Sequence, residues 1–158
     1  MANGLFVLKD FIRPHDRNYI RNAKRAVVVV TNNKRNMRTE THHTGRSKIA
    51  EVISDRFVIN SVEDGLDLLG NLYYQDFDKI IIHEKNITPE FFDLKNGIAG
   101  EILQKFSNYR VRLAIVGDFA KYPGRSINDF ISESNQGGQI NFVGSISEAL
   151  IKLSKGDK

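Results

Sequence analysis

Few residues in this chain have both the type and the placing for chemistry. His83 and Glu84 follow one another at the end of an apolar run, and Asp118 follows a second such run. Asp93, Lys95, Asn96 and Gly97 stand between an aromatic pair, Phe91-Phe92, and a strongly patterned helical segment. A histidine, several carboxylates and nearby cations on one rim can support acid–base chemistry, so His83, Glu84 and Asp118 are the candidate catalytic residues. Neither a nucleophile–base–orienter signature nor a glycine-rich phosphate loop accompanies them. The competing reading is structural: His83-Glu84 ends a strand, Asp93 and Asn96 cap a helix, and Asp118 begins a turn. A metal set drawn from His42-His43, His83, Glu84 and Asp118 lacks the i, i+4 spacing that puts two ligands on one helix face. The histidine pair also reads as loop ahead of the first strand, so neither a metal nor a cofactor is expected.

The turn from Asp93 to Gly97 has its own reading. Free N–H groups and the dipole at a helix entrance attract anions, and Lys95 stands beside Gly97. Ordinary capping explains the same residues. Adjacent aromatics in a short turn do not easily enter one core, so Phe91 and Phe92 suggest a partner surface. Phe91, Phe92, Asp93, Lys95, Asn96 and Gly97 are therefore the candidate partner-binding residues. Gly100, one helical turn further on, suggests close packing of that helix on a neighbour.

The elements that must position these residues follow from periodicity. Lys48–Ile53 alternates as a strand, and Phe57–Ile59 after the Asp55-Arg56 turn predicts its hairpin partner. Ser61-Val-Glu-Asp64 and Ser145-Ile-Ser-Glu148 read as capping boxes that open helices. Lys79–Ile82, Val111–Val116 and Ile140–Val143 read as buried strands of parallel type. Helical segments lie between them: one opened by Thr88-Pro89 with Ile98, Ile102, Leu103 and Phe106 on its inner face, another opened by Ser126. The order β-β-α-β-α-β-α-β-α predicts an α/β sandwich with a mixed, mostly parallel sheet, an N-terminal hairpin and four principal helices. In such sheets, ligands bind beyond the carboxyl ends of the strands. That edge gathers His83, Glu84, Asp93 and Asp118.

At 158 residues, with 41% hydrophobic and 27% charged content, the chain fits one globular domain. It has no cysteine, which excludes disulfides and thiolate chemistry. No apolar run approaches the roughly 20 residues of a membrane span, and the first thirty residues lack a signal-peptide pattern. Cytoplasmic residence and no membrane partner are expected. Residues 1–36 carry eight cations and two acids, a charge of +6, so the rest of the +4 chain carries −2. The expected division is a basic extension at 1–36 and a single domain at 37–158. Three readings of the extension stay open: an added edge strand within 26–31 with an arm, a nucleic-acid or partner-binding arm, or a segment the domain does not need. Nucleic acid is otherwise not an expected partner.

"FFDLKNGIAGEILQKFSNYRVRLAIVGDF", followed by "INDFISESNQGGQINFV" and "EALIKL", resembles a bacterial family of uncharacterised proteins, domain of unknown function 4180, over about residues 48–153. More distantly, the element order, the "RLAIVGD" strand and the terminal "EAL" helix are similar to the STAS domains of anti-anti-sigma factors and sulphate transporters. In the regulatory STAS members a kinase phosphorylates a serine in the turn before the second helix. Asp93-Leu-Lys-Asn-Gly97 occupies the comparable place, keeps the Asp and Gly, is one residue longer and lacks the hydroxyl. The resemblance implies a non-catalytic regulatory or protein-binding module with an unidentified protein partner, and a homodimer stays open. The alternatives are a small enzyme or anion-binding protein using the rim of His83, Glu84, Asp93 and Asp118, and weak nucleic-acid binding through residues 1–36.

Overall fold

The computed structural model describes Val27–Val28 and residues 37–157. The rest of the extension lies outside the described residues, and with it most of the strand expected at 26–31. Six strands form one sheet in sequential order: β1 (Val27–Val28), β2 (Met37–Thr44), β3 (Ser47–Ser54), β4 (Lys79–His83), β5 (Arg112–Val116) and β6 (Ile140–Val143). The first two pairings are antiparallel and the other three parallel. Four helices alternate with the parallel strands: α1 (Val62–Tyr74), α2 (Ile98–Asn108), α3 (Arg125–Gly137) and α4 (Ile146–Ser154). This is the expected α/β order.

Sequential strand order with right-handed crossovers places the crossing helices on one face. The larger core bears this out. Ala50, Val52, Ile80, Ile82, Leu113, Ile115 and Phe142 meet Leu69 and Leu72 of α1, Ile102 and Phe106 of α2 and Ile127 of α3. Among the described residues, the opposite face carries α4 alone, with Ala149 and Leu153 packed against Ile49, Ile81, Ala114 and Val143. Arg112 fixes the end of α4, its guanidinium donating to the Lys152 and Leu153 carbonyls at 2.6 and 2.9 Å. Buried Lys79 meets Ser47 and Asp157 there, the latter at 2.6 Å.

The hairpin is real, but its partner differs from the expectation. β3 pairs with β2 through a full ladder from Met37↔Ser54 to Thr44↔Ser47, not with Phe57–Ile59. Gly45, at φ +57°, supplies the left-handed residue of the two-residue turn. Phe57–Ile59 is captured elsewhere: the N–H groups of Val58 and Ile59 donate to the Asn86 carbonyl at 2.6 and 3.1 Å. The Asn86 side chain ties in Ser54 and Arg56, donating to both carbonyls at 2.8 Å. His42 and His43 consequently lie in a strand, where alternation sends them to opposite faces of the sheet.

Both expected serine caps form, Ser61 accepting from the Asp64 N–H and Ser145 from the Glu148 N–H, each at 3.2 Å. The Thr88-Pro89 start does not lead directly into a helix. Two short 3-10 turns, Pro89–Phe92 and Leu94–Asn96, come first, and α2 begins only at Ile98.

Candidate functional site

The carboxyl ends of β4 and β5 hold the residues singled out in the sequence, but on different sides. Alternation along β4 turns His83 with Ile81 toward the α4 face. Glu84 opens a 3-10 turn (Glu84–Asn86) and is buried. Its Oε1 accepts from the Tyr122 hydroxyl and from Lys121 Nζ, the latter at 2.7 Å. Room for this carboxylate comes from Gly117, where a Cβ would stand 2.4 Å from Glu84 Cβ. Burial first, then the hydrogen bond to Glu84 and its charge, push the Tyr122 phenol well above its usual range. The phenol therefore keeps its proton and acts as a fixed donor.

Asp118 spends its carboxylate locally, Oδ1 accepting the Ala120 N–H at 3.1 Å. The candidate catalytic trio thus has three separate sets of hydrogen-bond partners. Glu84 belongs with Tyr122 and Lys121, Asp118 with its own turn, and His83 with the second face of the sheet. Lys121 and Tyr122 lie in the loop after β5, and nothing local in their sequence announces Glu84 as their partner.

Phe91 and Phe92 are both buried, at 1% and 5% exposure, which corrects the expectation that adjacent aromatics in this turn do not enter one core, while Phe92 still lines the groove described below. The 3-10 turn resolves the apparent conflict, because successive side chains there point about a third of a turn apart. Phe92 lies against Tyr122 in a stacked arrangement, centroids 4.3 Å apart, and approaches Phe119 at 6.0 Å. Phe119 meets Phe142 of β6 edge-on. These rings bind the loop after β4 to the loop after β5.

Past the rings, Asp93, Lys95 and Asn96 are exposed. Asn96 nevertheless carries structure: Oδ1 accepts the Ile98 N–H at 3.0 Å, and Nδ2 donates to the Glu90 carbonyl at 2.7 Å. Gly97 has φ +82°, and a Cβ at this position would meet nothing within 4 Å, so backbone conformation alone calls for glycine. Gly100 likewise faces open space, not the close helix contact expected of it.

Between these turns and the β5–α3 loop runs a groove of about 680 Å³, open to solvent. Phe92, Leu94, Tyr122 and Ile127 give it apolar walls, and Asp93, Lys95 and Ser126 give it a polar margin. Its position beyond the strand ends is where α/β sheets bind ligands.

A second constellation lies on the α4 face. Glu51 of β3, 7% exposed, sits between two imidazoles: His42 Nε2 is 2.6 Å from Oε2 and His83 Nε2 is 2.8 Å from Oε1. Carboxylate oxygens accept, so each ring donates from Nε2. Glu40 stands directly across the ladder from Glu51. The donor atoms of Glu40, His42 and Glu51 all lie within 4.8 Å of one another. Glu51 escaped sequence reasoning because it is one polar residue in an alternating strand. The available signal was Thr44-Gly-Arg-Ser47, a two-residue hairpin turn that makes a strand of the segment containing His42.

The fold and rim define a small α/β domain with a mixed sheet and a groove at its parallel strand ends. The profile of the family described as domain of unknown function (DUF4180) matches residues 44–153, and the chain belongs to that family. No curated protein and no solved structure matches it. Among the described residues, no helix is long and apolar enough to cross a membrane.

Proposed function

We propose that this protein is a non-catalytic, protein-binding regulatory module that takes an apolar side chain of an extended partner segment into the groove beyond β4 and β5. The groove itself carries the reading: apolar walls of Phe92, Leu94, Tyr122 and Ile127, with Asp93 and Lys95 of opposite sign at the margin. A small molecule is usually enclosed over most of its surface, whereas an open groove suits a side chain held in place by a larger partner. Opposite charges side by side suit a peptide backbone with mixed flanking residues better than a simple anion. The acid–base groups of the rim support the same reading. Glu84 is committed to Tyr122 and Lys121, and the Tyr122 phenol is held protonated. The element order resembling that of STAS regulatory domains would agree, by analogy alone.

The test is selection of peptides from a random library on the full chain, followed by fluorescence anisotropy with the enriched sequence. Ser126 is exposed at the groove margin, so Ser126→Trp fills the groove with little effect on folding. Peptides sharing one apolar anchor, binding Ser126→Trp at least about tenfold more weakly, a loss of about 1.4 kcal/mol, support the proposal. Peptides that bind Ser126→Trp as tightly as the parent refute it.

A further inference from the structure

The face of the sheet carrying α4 raises a separate question, independent of the groove. In the β2–β3 ladder Glu40 is paired directly with Glu51. Like charges directly opposed across strands are destabilising, and a buried carboxylate requires partners of opposite charge or a metal. Arg38 reaches the half-buried Glu40 at 3.2 Å, but among the described residues the oxygens of Glu51 meet only imidazoles. His42 is two residues from Glu40 and therefore on the same face. Two carboxylates and one imidazole thus converge from a paired, eight-residue antiparallel ladder, a rigid support for a site.

We propose that Glu40, His42 and Glu51 bind one divalent transition-metal ion of the zinc type, with His83 as a positioning residue. Their donor atoms lie within 4.8 Å of one another, and bonds of about 2.0–2.2 Å at tetrahedral angles set donors roughly 3.5 Å apart, so side-chain rotations of about an ångström bring all three onto a single ion. One nitrogen among oxygen donors suits zinc, cobalt or manganese better than magnesium or calcium. On binding, neutral His42 moves its proton from Nε2 to Nδ1 and offers the Nε2 lone pair. Oε2 of Glu51 exchanges that N–H for the ion, and Glu40 exchanges Arg38 for it. His83 keeps its N–H on Oε1 and so holds the Glu51 carboxylate in orientation. The ion neutralises the opposed carboxylates and ties β2 to β3, leaving a coordination position for water.

The full chain, freed of metal by chelation, is titrated with Zn²⁺ by calorimetry and with Co²⁺ by visible absorption. One ion per chain is expected, with ligand-field bands on Co²⁺ addition. His42→Ala and Glu51→Gln are expected to weaken binding by about 100-fold, and Glu40→Gln and His83→Gln by about 10-fold. Glu40 is half-buried, against the buried Glu51, so Glu40→Gln reports on the site even where Glu51→Gln perturbs folding. His43→Ala, on the same strand but the opposite face, is expected to bind as the parent does. Absence of one-to-one binding overturns the proposal. So does parent-like affinity in both Glu40→Gln and His42→Ala, or a loss in His43→Ala equal to that in His42→Ala, which marks an adventitious histidine-pair site.

Discussion

Replacing Gly117 by alanine tests how tightly the two strand-end loops are locked together. The new Cβ would stand 2.4 Å from Glu84 Cβ, against the 3.4 Å at which ordinary contact begins. Glu84 Cβ is attached to the backbone of a 3-10 turn and cannot rotate away as a side-chain tip can. Gly117 does not have positive φ, so the penalty is steric. Overpacking of this kind costs about 1–3 kcal/mol. The upper end is expected, because displacing Glu84 also disturbs its contacts with Tyr122 and Lys121. For a chain of this size that lowers the thermal midpoint by roughly 2–10 °C. Urea unfolding followed by circular dichroism gives the free energy directly, with an unchanged slope expected. Gly100→Ala is the opposite case: nothing lies within 4 Å of its Cβ position, and the residue sits inside α2. It should stabilise by about 0.5–1 kcal/mol. A Gly117→Ala protein within about 0.5 kcal/mol of the parent, or the two variants shifting in the same direction, would refute the reasoning.

Asn96→Ala removes the acceptor for the Ile98 N–H and the donor to the Glu90 carbonyl, and should cost about 1–2 kcal/mol in the same urea assay. Lys95→Ala, which changes only an exposed side chain, should stay within about 0.5 kcal/mol. Tyr122→Phe removes the donor to buried Glu84 and should cost about 1–3 kcal/mol. Because the Tyr122 pKa is raised in the folded state, its contribution is complete below the unfolded value near 10 and lost as pH rises beyond it. The difference between parent and Tyr122→Phe in urea unfolding should therefore be level from about pH 6 to 9 and shrink above about pH 10. A chain beginning at Met37 loses the pairing of Val27–Val28 with Thr39 and Glu40. Calorimetry should place its midpoint within a few degrees of the parent, and a collapse would show that the extension belongs to the fold.

Much of this architecture is written in short-range pattern. Ile80–Ile82 and Leu113–Val116 are uninterrupted apolar runs because both faces of those strands are covered. Ser61 and Ser145 announce helix starts through chemistry contained within four residues. Long-range competition is what local pattern misses. Phe57–Ile59 has strand composition, yet Asn86, far along the chain, claims its backbone. Phe91-Phe92 is too crowded for one core only in a simple turn, whereas a 3-10 turn sends the rings in different directions. The rim is legible as a place, since strand ends follow from strand order. Its side-chain directions are not. His83 turns to Glu51, a pairing set by the register of two strands far apart in sequence, and Glu84 turns to a tyrosine 38 residues away.

The central claim is that recognition occurs in the groove between Phe92–Lys95 and Tyr122–Ile127. Two-dimensional amide NMR of the full chain, titrated with a library-selected peptide, tests it most directly. Shift changes concentrated in residues 92–97 and 121–127, absent in Ser126→Trp, are the predicted result. Changes centred instead on β2 and β3 around His42 and Glu51, with the groove amides unmoved, would contradict it.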